Sequence, residues 1–155
     1  MHTRRAPITD RKLRFALVGC GRIAHNHIEA LRRHAADVDL VAVCDSDSAA
    51  LKAAMQTTGA PGFYSLCALL AGSRPDCVVV ATPSGLHPQQ VMEVARAGID
   101  VMTEKPMATR WSDGLAMVRA CDEAGVRLFV VKQNRRNRTL QLLKQAVEQG
   151  RFGRI

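Results

Sequence analysis

Several short stretches of this 155-residue chain carry groups suited to chemistry, and each falls where an apolar run gives way to a turn. The first is Gly19-Cys20-Gly21-Arg22-Ile23-Ala24, which follows the run Leu13–Val18 and opens an amphipathic stretch reaching about His34. Gly19 permits a tight turn, Gly21 lets backbone approach a pyrophosphate, and Ala24 keeps helix and strand close, while the helix N-terminus offers N–H groups to an anion. Arg22 and Ile23 ride on the same loop. A glycine pattern alone says little, but this one sits between a strand and a helix. The next strand ends in Asp45, about 20 residues on, where a carboxylate accepts from both ribose hydroxyls of a dinucleotide. Asp45 would repel a 2′-phosphate and no Arg follows in Ser46-Asp47-Ser48, so NAD is favoured over NADP. Capping of the next helix fits Asp47 better than Asp45.

Thr82-Pro83-Ser84-Gly85-Leu86-His87 ends another strand, at the edge where open α/β sheets bind ligands. Thr82, Pro83, Ser84 and His87 are candidates for the nicotinamide side of a cofactor, although an isolated His after a turn is more often a surface or capping residue. Glu104-Lys105-Pro106 ends the strand after that, and on residue type alone such a lysine is a solvated charge. Val131-Lys132-Gln133-Asn134-Arg135-Arg136-Asn137 leaves the last strand as a polar cluster facing the same edge. Its arginines suit carboxylate or diphosphate, which guanidinium binds bidentately, or else begin a solvated helix. His25 and His27 lie two apart on a helix, where side chains do not meet, so they are not a metal pair and no metal site is expected.

The elements that must position these groups follow one rhythm. Strands are expected at 13–18, 39–44, 77–82, 100–103 and 126–131, with a weaker one at 62–64 before a short helix from Ser65. Helices between them are marked by apolar spacing such as Leu115 and Val118, or Leu140, Leu143 and Val147. Glycines at 59, 72, 98, 125 and 150 are expected to close them. Cys77 to Ala81 is apolar at every position, as a central parallel strand covered on both faces requires. The series is βαβ throughout, and the expected fold is α/β: a Rossmann-type doubly wound parallel sheet.

Composition narrows the setting. A chain of this length with 47% hydrophobic residues buries one core. No apolar run approaches the roughly 20 residues of a membrane span, and Phe15 to Val18 is too short for the apolar segment of an export signal. The five cysteines are odd in number and contain no Cys-x-x-Cys pair, which fits neither a disulfide framework nor zinc and points to a reducing cytoplasm. Cys20, at a helix N-terminus, is a weak candidate for a redox-sensitive thiol. The net charge of +8 leaves nucleic acid open, yet no aromatic lies within the Arg135, Arg136, Arg138 cluster to stack on bases, so no nucleic-acid partner is expected.

Ala97-Gly98-Ile99-Asp100-Val101-Met102-Thr103-Glu104-Lys105-Pro106 resembles the A-G-K-H-V-x-x-E-K-P signature of the glucose-fructose oxidoreductase, inositol dehydrogenase and MocA family. The glycine loop, Asp45, the 82–87 turn and the Glu-Lys-Pro turn all fall in the family's order, and only Ile99 and Asp100 depart from its usual Lys-His. The resemblance implies that Lys105 is the catalytic lysine, touching both the cofactor and the hydroxyl being oxidised, that Glu104 helps hold its turn, and that the Lys105-Pro106 bond is cis. Thr103 to Ala108 with Lys132 to Arg136 is most similar to the subgroup that oxidises C3 of UDP-N-acetylglucosaminuronic acid for surface polysaccharides. Asn134, Arg135 and Arg136 would then face substrate with Lys105. The family's second domain, which completes the pocket and the oligomer interface, would begin at 150–155, after a flexible basic tail at 1–12 and an NAD-binding domain at 13–149. On the residues alone, a cofactor module without turnover and a basic interaction protein stay open beside a dehydrogenase, since fold does not choose among them.

Overall fold

The computed structural model describes residues 6–154. Strand β1 (Leu13–Val18), helix α1 (Ala24–Arg33), strand β2 (Val38–Cys44), helix α2 (Ser48–Thr58) and strand β3 (Gly62–Phe63) form the first half. Helix α3 (Leu66–Ser73) crosses to strand β4 (Cys77–Val80), followed by α4 (His87–Arg96), β5 (Asp100–Thr103), α5 (Trp111–Ala124), β6 (Leu128–Val130) and α6 (Arg138–Glu148). All strand pairs are parallel, in the order β3-β2-β1-β4-β5-β6. The order reverses between β1 and β4, and a crevice opens at such a switch point beyond the strands' carboxyl ends.

Parallel strands with helices on both faces are apolar on both sides, and β4 is buried at every position. Leu17, Val43 and Val79 pack with Ala24 and Ile28 of α1 and Leu51 and Ala54 of α2. Ala16, Val18, Val78, Val80 and Val101 face the other way, against Leu69, Val91, Val94 and Met117 of α3, α4 and α5. Each such Leu, Val or Met contributes about 1.5–3 kcal/mol by leaving water. No described helix is long and apolar enough to cross a membrane.

Some expectations change. The strand expected at 77–82 stops at Val80, and the one expected at 126–131 is only Leu128–Val130. Gly72 does not close a helix: α3 runs through it to Ser73, and Arg74 takes the left-handed conformation at φ 47°. Gly72 is small for another reason, since a Cβ there would lie 2.7 Å from Cε1 of Phe63. The end of the expected flexible tail is tethered, because Arg11 donates to both carboxylate oxygens of Asp76 at 2.6 and 2.8 Å. Residues 1–5 of that tail lie outside the described residues, as does Ile155 of the expected second-domain start. From 150 to 154 the described chain forms a turn and no strand.

Helix α6 has apolar spacing but buries nothing: Leu140, Leu142, Leu143 and Val147 are exposed. At the sheet's amino-terminal edge a cavity of about 590 Å³ lies among Ile8, Phe15, Met102, Arg127 and Phe129.

Candidate active site

Gly19 sits at φ +92°, where its missing side chain is essential, because a Cβ would lie 2.7 Å from the carbonyl of Ala81 and 2.8 Å from the amide nitrogen of Thr82. Its own N–H donates to the carbonyl of Cys44 at 2.8 Å, so the loop is pinned between the ends of β2 and β4. Gly21 is different, for a Cβ there would meet nothing within 4 Å. It leaves open space over a helix N-terminus that no side chain caps, as is true also of α4 and α5, whereas Asp47, Ser65 and Asn137 cap α2, α3 and α6. An open cradle above uncapped N–H groups fits a pyrophosphate. Arg22 and Ile23 are exposed on the rim of this loop, and Ala24 is buried beneath it.

Asp45 is half-buried and does more than wait for a ribose. One carboxylate oxygen accepts from Cys20 N–H at 2.7 Å and the other from Asp47 N–H at 2.8 Å. Only two of roughly four acceptor positions are used, so the carboxylate keeps capacity for two hydroxyls. Asp47 caps α2 as expected, accepting from Ala49 and Ala50, both at 2.8 Å. The Cys20 thiol is pushed up to about 11, chiefly by burial and further by the Asp45 charge, so it is not an activated thiolate.

Beyond β4, the Thr82 hydroxyl donates to Oε1 of Gln90 at 2.5 Å. Pro83 is exposed and Ser84, half-buried, begins a single 3-10 turn, Ser84–Leu86. His87 departs from expectation. Its side chain is 1% exposed, with Nε2 2.8 Å from the carbonyl oxygen of Thr82 and Nδ1 3.0 Å from that of Pro106. As the first residue of α4 it points back along the helix toward these turns, as helical side chains do. The ring is packed between the turns that follow β4 and β5.

Glu104 extends β5, its N–H donating to the carbonyl of Val80 at 3.0 Å. Its side chain is 9% exposed. Oε2 accepts from the N–H of Lys105 at 3.1 Å, and Oε1 lies 2.9 Å from Nε2 of His27 on α1. The Lys105-Pro106 bond is cis, as the resemblance implied. Lys105 itself is exposed, and its ammonium makes no hydrogen bond or ion pair among the described residues.

Reading the sequence missed the role of His27, which was weighed only as half of a metal pair with His25. The signal was present: positions 24, 27, 28 and 31 form one inward stripe of α1, and Ala24 and Ile28 are buried there. Asn134, Arg135 and Arg136 lie in the 3-10 turn Gln133–Arg136 at the same sheet edge. They are reached through Val131, whose N–H donates to the carbonyl of Thr103 at 2.9 Å. Their side chains are exposed, and none is bonded to the Lys105 turn among the described residues.

Residues 13–132 match the glucose-fructose oxidoreductase, inositol dehydrogenase and MocA group, described as an oxidoreductase family with an NAD-binding Rossmann fold. The chain belongs to this family. Among solved members, the WlbA dehydrogenase of Bordetella pertussis, in complex with NADH and UDP-GlcNAcA, is 65% identical with a TM-score of 0.91, over 96% of this chain and 43% of that one. The WlbA dehydrogenase of Chromobacterium violaceum, with the same two ligands, is 64% identical with a TM-score of 0.92, over the same shares. A curated member, D-apiose dehydrogenase of Paraburkholderia graminis, is 36% identical over 94% of this chain and 39% of its own length. The chain therefore spans about two fifths of the relatives it matches. It is a NAD-binding Rossmann domain of this family, and the glycine cradle and Asp45 are the parts of its geometry that fit the cofactor.

Proposed function

We propose that this chain is the cofactor half of a NAD-dependent dehydrogenase that oxidises C3 of UDP-N-acetylglucosaminuronic acid. The observation that carries the reading is Lys105, an exposed lysine with no partner among the described residues, on a braced turn at the sheet edge that also holds the glycine cradle. When bound, NAD supplies the acceptor for the hydride leaving the sugar carbon. The chain's part is to seat it and to handle the proton. Gly21 admits the pyrophosphate, Asp45 accepts from the ribose, and Nζ of Lys105 in its free-amine form accepts the proton of the 3-hydroxyl. Asn134, Arg135 and Arg136, in the turn after the next strand, would bind a substrate bearing a carboxylate and a diphosphate. Two WlbA dehydrogenases at 64 and 65% identity carrying that substrate favour it over a pentose or inositol. The setting that fits is cytoplasmic and the assembled form a homo-oligomer, as the family resemblance implies.

Hydride transfer needs the sugar carbon held about 3–3.5 Å from the acceptor, and such positioning can supply about 7–11 kcal/mol of the barrier. One wall of a pocket does not provide it. We expect the 155-residue chain to bind NADH without turning over the sugar nucleotide. A fusion of this chain to the remaining part of the B. pertussis dehydrogenase should reduce NAD when given UDP-N-acetylglucosaminuronate. The decisive measurement is NADH absorbance in that fusion and in its Lys105→Met variant. Full activity in the variant would remove the lysine from the reaction, and turnover of D-apiose in preference to the sugar nucleotide would replace the substrate.

A further inference from the structure

Glu104 presents a problem of physical chemistry that the reaction does not explain. Its side chain is 9% exposed beside an open active-site edge, and a buried charge is retained only where it is partnered. The partners are specific. Oε2 takes the backbone N–H of Lys105, the very residue whose side chain must meet substrate, at 3.1 Å. Oε1 takes Nε2 of His27 at 2.9 Å, and that side chain is itself 13% exposed. His27 lies one turn inside α1, the helix whose first turn carries the glycine cradle. One carboxylate thus bridges the element that seats the cofactor and the backbone of the lysine.

We propose that His27 is a positioning residue for the reaction at Lys105, locking the lysine's turn to the cofactor helix through Glu104. The inference rests on the reading of Lys105 given above. His87 also lies against this turn, with Nδ1 3.0 Å from the carbonyl oxygen of Pro106, but its other ring nitrogen faces the carbonyl oxygen of Thr82 at 2.8 Å and not α1. Backbone bonds join the strand ends, but among the described residues the His27–Glu104 contact is the side-chain link that ties the lysine's turn directly to the cofactor helix. The lysine side chain has no other anchor among the described residues, and a misplacement of about 1 Å can lower a rate about 100-fold.

The test compares His27→Gln with His27→Asn in the 155-residue chain. A glutamine amide reaches the place of Nε2, while an asparagine amide stops near Nδ1 and cannot reach Oε1. Lys105 is acylated with a soluble anhydride with and without saturating NADH, and its labelling rate is followed by mass spectrometry. In the parent chain NADH should slow labelling about tenfold, and His27→Gln should keep that within about twofold, as expected if pre-set geometry holds the lysine against the cofactor. His27→Asn should lose most of the protection, while its NADH affinity and melting temperature stay close to those of His27→Gln. Protection in His27→Asn equal to the parent's overturns the inference alone. So does a loss of protection that merely follows lost folding or lost NADH affinity. Absence of protection in the parent overturns the reading of Lys105 and the inference with it. Should His27→Asn fail to fold, Glu104→Ala removes the bridge from its other end, and the same loss of protection is expected.

Discussion

Gly19 and Gly21 are glycine for different physical reasons, and substitution separates them. Gly19→Ala drives a Cβ into the Ala81 backbone at an already left-handed φ, so the chain should lose stability by several degrees of melting temperature along with NADH affinity. Gly21→Ala meets nothing in the chain, and its melting temperature should stay within about 2 °C while NADH affinity falls about tenfold or more, the space being the pyrophosphate's. Equal loss of stability in both would show that the loop is merely a tight turn. Asp45 sets the choice between cofactors. Lost charge-assisted bonds and added repulsion should cost NADP about 2–3 kcal/mol, or about 30- to 150-fold in affinity. Asp45→Ala should narrow that gap below about tenfold, and equal binding of NAD and NADP by the parent chain in a titration would refute the assignment. The loop glycines and Asp45 were legible because each answers a local demand of a strand end, and Lys105 through the turn it shares with a known family. The stripe of α1 marked His27 as inward-facing, but its partner and that of His87 were not legible, since they lie 77 and 19 residues away and only the folded sheet brings them together.

At the level of elements, hydrophobic rhythm was enough to place the six strands in their order along the chain and to put β4 in the middle. Their ends were less legible, because whether residue 81 or 127 continues a strand depends on where its neighbour stops. Helix α3 shows the limit. A glycine near the end of a helical pattern reads as a stop, but Gly72 is required by the ring of Phe63 on the facing edge strand, a long-range demand with no sequence signature. Arg74, not glycine, occupies the left-handed position. For an L-residue that conformation costs about 1–2 kcal/mol, partly offset because glycine is more flexible when unfolded. Arg74→Gly should therefore raise stability by about 0.5–1 kcal/mol in denaturant unfolding. Gly72→Ala, favourable by helix propensity alone, should instead lower stability by about 1–3 kcal/mol through overpacking. Reversal of both effects, Arg74→Gly destabilising and Gly72→Ala stabilising, would mean that α3 ends where the glycine pattern suggested.

For the whole molecule, the parallel sheet divides its two ends by task. Every group assigned to chemistry stands beyond the strands' carboxyl ends, whereas the amino-terminal edge carries the Arg11–Asp76 pair. The Arg11 guanidinium, with help from the N–H of Arg14, holds the Asp76 carboxyl below its usual 3.8 although partial burial opposes this. A carboxyl depressed in the folded state stabilises above its unfolded value, and that contribution is lost as pH falls through the folded one. Acidification from about pH 5 to about pH 2.5 should consequently lower the melting temperature more in the parent chain than in Asp76→Asn. An equal drop would mean that the pair contributes nothing. That the apolar face of α6 lies exposed could not be read from the sequence, for amphipathic spacing marks a face suited to burial without saying whether the described residues bury it. The separation of the ends bears on how such a chain can change over generations. Substitutions along the Arg11–Asp76 edge can drift, be compensated and raise or lower heat tolerance while the nucleotide end stays untouched. A library randomised only at positions 11 and 76 should spread widely in melting temperature yet hardly at all in NADH affinity.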